Sequence, residues 1–352
     1  AKCADDSGNR REGQGEFHGG LISGLDACRT CCLRTKVGAG CRLCHFNLRP
    51  PSSVWPALCM MSRREAGDVW MMPDGAGQAG SAGADLPPSV RVDARLNLIV
   101  EASGGRLRVA ERQEAGAFRF RMPRREPDAI EAMLVNVAGG LAGGDRLTLM
   151  AAIVLSSAAG ERIYRSGGDE TRISIDLKAD AGGMLVWLPH ETILHDSARL
   201  RRDVSIALHP KGQVLFGETL QFGRVASGER YRHGAFVDRW QVRIGEKLVF
   251  AEAARIEGDI LARSRRPAAL GNAPFMASVL LAGKDAADRL AAIRAALSDH
   301  SGVMAAASAV CGLVFARLLS ENDVALRRAF LAAIRAASGE TVPLPRVLMT
   351  AQ

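Results

Sequence analysis

Aromatic residues are scarce in this 352-residue chain. They fill 5% of positions, with only two tyrosines and four tryptophans. A core must therefore be built from aliphatic side chains and alanine, and a hydrophobic content of 47% suffices for that. The same scarcity argues against a carbohydrate-active enzyme, which sets aromatic platforms beside its paired carboxylates. No run of about 18 uncharged apolar residues occurs, so no transmembrane helix is expected. A charged stretch leading into an apolar one is also missing at the N-terminal end, and a cytoplasmic location is the expectation. Gly139 to Gly144 form a glycine loop without the Lys-Ser/Thr that completes a phosphate-binding loop. No nucleophile elbow accompanies His195 and Asp196, so His195 reads as a structural residue at a strand end.

Positive charge is present but not concentrated. The net charge is +8, and residues 87–352 carry +7 of it. Arginines are spread along that stretch: Arg119, Arg121, Arg124 and Arg125, then Arg199, Arg201 and Arg202, then Arg265 and Arg266. A nucleic-acid binder clusters its basic residues and interleaves aromatics. An acidic protein partner fits this distribution at least as well.

The chain divides into two unlike parts. Residues 1–86 hold seven of the eight cysteines and 13 of the 37 glycines, without sustained apolar periodicity. They read as a poorly ordered extension, ending in the small-residue linker Gly75 to Ala84. Residues 87–352 have a different texture. Leu96, Leu98 and Val100 recur at every second position, as do Phe118 and Phe120, Ile173, Ile175 and Leu177, Leu185 and Trp187, and Val204, Ile206 and Leu208. That period puts one face of a strand in a core. Turn signals at Ala159-Gly160, Gly182-Gly183, Pro210-Lys211-Gly212 and Gly245-Glu246 separate the runs. The expected fold is mainly β, an antiparallel or winding strand domain over about residues 92–258, with two α-helices near the C-terminus. The helices are placed at Asp285–Leu297 and Asp323–Ala337, the second with Ser320 or Asn322 as N-cap and Gly339 beyond its end. Val303–Leu319 reads equally as a buried helix or as two strands broken at Gly312.

Several local patterns carry a resemblance. Asn136-Val137-Ala138-Gly139-Gly140-Leu141-Ala142-Gly143-Gly144-Asp145 is followed by Tyr164-Arg165-Ser166 and by Trp187-Leu188-Pro189-His190-Glu191. Then comes a run from Glu218 through Phe222-Gly223-Arg224 to Ser227-Gly228-Glu229, and Pro345-Arg346 with Thr350. In order and spacing they resemble the UreD (UreH) family of urease accessory proteins over about residues 90–350. His190 stands where that family usually has glutamine, and Leu348 where it has tryptophan. The resemblance implies a non-enzymatic maturation chaperone with no tightly bound cofactor. It implies binding to the urease apoprotein, docking of a UreF-like partner, recruitment of a nickel-carrying GTPase of the UreG type, and nickel in transit. Neither nucleic acid nor membrane is an expected partner. The apolar stretch Val303–Leu319, with the helix that follows, is the expected docking surface.

Nickel in transit needs ligands that hold and release it, and carboxylates, water and imidazole do so. The matched motifs supply Glu191, Glu218, Glu229 and Asp145, with His190 as an imidazole beside them. Each has a plainer reading. Asp145 closes a glycine turn, and Glu191 and Glu229 pair with arginines, Arg224 among them. Tyr164 and Trp187 read as packing residues. The extension offers a different chemistry. Cys28 and Cys31, with Cys41 and Cys44, have the pairwise spacing of a zinc site. Set against this zinc- or nucleic-acid-binding alternative is a leader that is disordered or not native, with Met60, Met61, Met71 or Met72 as the true start.

Overall fold

A computed structural model describes residues 91–125, 129–151, 154–266, 268–339 and 344–345. The cysteine segment, the division at residue 86 and the motif from Arg346 to Thr350 lie outside these residues.

Among the described residues, seventeen strands form two sheets. The first sheet contains β1 (Asp93–Ser103), β2 (Arg106–Ala115), β5 (Arg146–Ala151), β8 (Thr171–Ala179), β11 (Arg199–Leu208), β13 (His233–Ile244) and β14 (Lys247–Asp259). Its order is β14-β13-β11-β8-β5-β1-β2. The second contains β3 (Phe118–Arg125), β4 (Ile130–Asn136), β6 (Val154–Ser157), β9 (Met184–Leu188), β12 (Gln213–Phe222), β15 (Phe275–Ala282), β16 (Val303–Val310) and β17 (Leu313–Ser320). Their order is β16-β17-β15-β12-β9-β6-β4-β3, and the short β7 (Glu161–Ile163) and β10 (Thr192–Leu194) join through β12.

From β4 to β13 the chain winds, giving its longer strands alternately to the two sheets, with the short β7 and β10 as extra strands of the second. Neighbours along each sheet are therefore parallel: β1, β5, β8, β11 and β13 in one, β4, β6, β9 and β12 in the other. A parallel pair needs a long crossover, usually a helix. Here a strand of the opposite sheet does that work, which is why short turns suffice. Antiparallel pairs such as β1 with β2 and β13 with β14 finish the winding at the sheet ends.

The period-two residues fill the space between the sheets. Leu96, Leu98, Phe118, Phe120, Ile173, Ile175, Leu177, Val204, Ile206 and Leu208 are all buried there. A second core lies on the other face of the second sheet, under helices α2 (Leu290–Ser298) and α3 (Asp323–Ser338). Strand β15 is consequently buried at every position. Gly217 of β12 faces this second core, where an added Cβ would lie 2.7 Å from both Ile334 and Leu188.

Both C-terminal helices are present, the first preceded by a 3-10 turn at Ala286–Arg289. Asn322 is the N-cap of α3, its side chain accepting from the Ala325 amide at 2.9 Å, and the Gly339 amide donates to Arg335 at the other end. A third, shorter helix, α1 (Ile260–Ser264), lies outside the two the sequence pattern marks. Val303–Leu319 resolves into the hairpin β16–β17. Cys311 and Gly312 both take positive φ (46° and 83°), as a tight two-residue hairpin turn requires.

Candidate functional site

The polar residues of the interior arise from the same alternation as its apolar ones. Arg202 occupies the inward register of β11, between Leu200 and Val204, and Asp238 that of β13, between Phe236 and Trp240. Glu218 and Trp187 face them from β12 and β9 of the opposite sheet. The Arg202 guanidinium donates to both oxygens of Asp238, at 2.9 and 2.7 Å, and its Nη2 lies 2.6 Å from Glu218 Oε2. Trp187 Nε1 donates to Glu218 Oε1 and Trp240 Nε1 to Asp238 Oδ1, each at 3.0 Å. All three charged groups are buried.

One guanidinium thus serves two carboxylates. Burial pushes the Glu218 carboxyl up to about 7, reinforced by Asp238 and opposed by Arg202. The Arg202 guanidinium is held charged by the two acids. A second pair crosses between the sheets nearby: Arg317 of β17 donates to Glu252 of β14, with its guanidinium carbon 5.2 Å above the Phe315 ring.

Glu191 and His190 sit elsewhere, on the link from β9 to β10. They line a cavity of about 260 Å³ with Thr219, Gln221, Asp323 and Arg327, between the strand ends and the start of α3. His190 Nδ1 lies 3.8 Å from Glu191 Oε2, and this neighbour holds the Glu191 carboxyl below its ordinary range. The Arg327 Nη2 atom is buried without a hydrogen-bond partner. On the adjoining β7, burial pushes Glu161 up to about 7 against a hydrogen bond from Asn136 at 2.9 Å.

Asp145 and Glu229 are occupied by the backbone and by charge. The buried Asp145 carboxylate accepts from the amides of Val92 at 2.8 Å and Ala142 at 2.7 Å, closing the glycine loop. Tyr164 packs across that loop, where a Cβ on Gly140 would collide with its ring. Glu229 bonds Arg224 and accepts from the Asp196 amide at 3.0 Å. Burial tends to raise its carboxyl, but Arg224 and that amide hold it below the usual range. His195 follows β10 and stacks edge-on to Tyr164, with ring centroids 4.9 Å apart. Burial and nearby Arg224 depress its pKa.

The structure therefore does not gather the sequence candidates at one point. Glu218 lies between the sheets, Glu191 with His190 in the cavity by α3, and Asp145 and Glu229 in two separate turns. Among the described residues no three His, Cys, Asp or Glu side chains are grouped so as to hold a metal ion. Sequence reasoning missed Arg202, Asp238 and Trp240 as site residues. The available signal was their place on inward positions of otherwise apolar strands.

Comparison with known proteins decides the family. The model for the UreD urease accessory protein matches residues 92–349. The chain belongs to the UreD family. It is 40% identical over 273 residues to urease accessory protein UreD 3 of Bradyrhizobium sp. (strain BTAi1), covering 76% of this chain and 97% of that protein. It is 41% identical over 273 residues to the UreD of Azorhizobium caulinodans, covering 75% and 98%. The UreD of Brucella suis is 37% identical over 266 residues, covering 74% and 95%. Within this UreD-family region, the glycine motif is the turn closed by Asp145, and the Trp187 motif supplies both the interior donor and the cavity wall. No helix among the described residues is long and apolar enough to cross a membrane.

Proposed function

We propose that this chain is a non-enzymatic scaffold of urease maturation. It binds the urease apoprotein and, with UreF-like and UreG-like partners, supports GTP-dependent nickel insertion in the cytoplasm. The family match over residues 92–349 carries this reading. Nickel is the cargo and not a resident cofactor. Glu191 and His190 offer a carboxylate and an imidazole in an open cavity, a donor set that exchanges a divalent ion more readily than thiolates would. Glu218, buried between the sheets against Arg202, is the interior carboxylate assigned to nickel transit in this reading. Asp145 and Glu229 close turns elsewhere in the fold.

The UreF-like partner is assigned to the face of α3, where Val324 is 53% exposed although apolar. Val324→Asp is expected to weaken co-purification of that partner, and unchanged recovery would move the interface elsewhere. The test of the function is deletion of the gene at limiting nickel. The expected result is urease protein at normal abundance with little bound nickel, restored by the full-length chain. Fully nickel-loaded, active urease in the deletion strain would overturn the reading. In the restored strain, Glu191→Gln is expected to lower nickel delivery while the complex still forms, and His190→Gln to leave delivery intact or faster.

A further inference from the structure

The outer face of the first sheet carries an arrangement that neither the fold nor the maturation reading explains. Register places Asp93, Arg146, Arg172, Arg201, Val237 and Arg255 in one row across six adjacent strands, on the face away from the core. Three arginines, Arg146, Arg172 and Arg201, are immediate neighbours on parallel strands. A fourth stands two strands further on. At the usual strand spacing the row from Arg146 to Arg255 spans about 19 Å.

Like charges directly opposite one another in a sheet are destabilising. Parallel sheets moreover are normally covered on both faces. Here Arg146 and Arg172 are exposed, the Arg172 and Arg255 side chains are 57% and 55% accessible, Arg201 is half-buried at 35%, and Val237 between Arg201 and Arg255 is buried. The local acids relieve the row only in part. Glu170 approaches Arg172 at 3.7 Å, Asp203 approaches Arg201 at 3.6 Å and Glu257 pairs with Arg255 at 2.8 Å. Exposed pairs of this kind contribute little.

We propose that this row is a docking surface for an acidic protein, whose carboxylates pair with Arg146, Arg172 and Arg201. Planar guanidiniums at regular spacing suit carboxylates, which they can bind through two parallel hydrogen bonds. A nucleic acid fits less well. The neighbouring outward positions hold no aromatic ring for bases to stack on, and Asp93, Asp176 and Asp203 interrupt the face with negative charge. The plain alternative is a solvated face whose arginines serve only solubility. That alternative predicts that binding follows net charge and not position.

The proposal is tested on the purified full chain with poly-L-glutamate and duplex DNA as probes. Arg146→Glu/Arg172→Glu/Arg201→Glu is compared with Arg263→Glu/Arg265→Glu/Arg266→Glu, which removes the same charge from other exposed arginines. The row variant should lose poly-L-glutamate affinity by about tenfold or more, and the control variant by much less. The Gln triple at the same three row positions repeats the measurement without reversing charge, and thermal melts verify folding. Equal losses in both variants, or no loss in the row variant, would overturn the proposal. Tighter binding of DNA than of poly-L-glutamate, lost in the row variant, would overturn it in favour of a nucleic-acid surface. A normal urease in the deletion strain would leave these outcomes unchanged, so the two readings fail separately.

Discussion

The two faces of the second sheet are built from alternate residues of the same strands, yet they solve burial differently. Beneath α2 and α3 the core is aliphatic, alanine and phenylalanine: Val186, Leu188, Leu215, Leu326, Phe330 and Ile334. On the opposite face, one residue along, Trp187 and Glu218 meet Arg202 and Asp238. The helix-covered face is stabilised by apolar area and close packing, where truncating one side chain leaves a cavity but strands no charge. The inter-sheet face contains charges whose desolvation is costly and is offset only while every partner is in place. The difference teaches that equal burial does not mean equal tolerance.

The sharpest way to break this comparison is Arg202→Met. It strands two buried carboxylates, and a loss of about 3–5 kcal/mol is expected in urea unfolding. Ile334→Ala on the helix-covered face leaves a cavity in aliphatic surroundings, with an expected loss of about 2–5 kcal/mol. The discriminating feature is response to pH, since the Arg202 variant should recover stability in acid as its carboxylates protonate, and the Ile334 variant should not. Trp187→Phe removes one donor to Glu218 while keeping an aromatic ring, with an expected cost of about 1–3 kcal/mol.

Glu218→Gln sharpens the comparison through pH. Burial pushes the folded-state carboxyl from 4.5 up to about 7, so the folded form binds its proton more tightly. Its contribution to stability is complete below about pH 4.5 and is lost as pH rises through 7. Wild type should therefore lose stability relative to Glu218→Gln across this window, and parallel pH profiles would refute the assignment. Glu161 shifts in the same direction but is common to both proteins. The smallest effect is expected for Glu229→Gln, about 0–1 kcal/mol, because its partner Arg224 is 52% exposed and the amide can still keep its acceptor. A larger loss would show that this turn holds more of the fold together than its ion pair suggests.

Much of the architecture is legible in the amino-acid order. Alternation in β1, β8 and β11 names the inward residues, glycine and proline mark the turns, and Asn322 announces α3. The site is less legible. Carboxylates inside recognisable motifs draw attention, yet Asp145 proves to cap a turn and Glu229 to pair with Arg224. Arg202 and Asp238, which carry the buried charge, are an arginine among many and an acid outside every motif.

The amino-acid order by itself determined the local alternatives: period two for strands, caps for helices, tight turns at glycines, and which face of each strand is apolar. These follow from backbone geometry and side-chain size within a few residues. Only the tertiary structure decided that strands of opposite sheets alternate along the winding. It alone brought Trp187, Arg202, Glu218 and Asp238 together and lined Arg146, Arg172 and Arg201 into one row. Those meetings join residues tens of positions apart, and a charge has a partner or lacks one only once both are in space. Period two can tell that Arg202 points inward; it cannot tell what waits for it there.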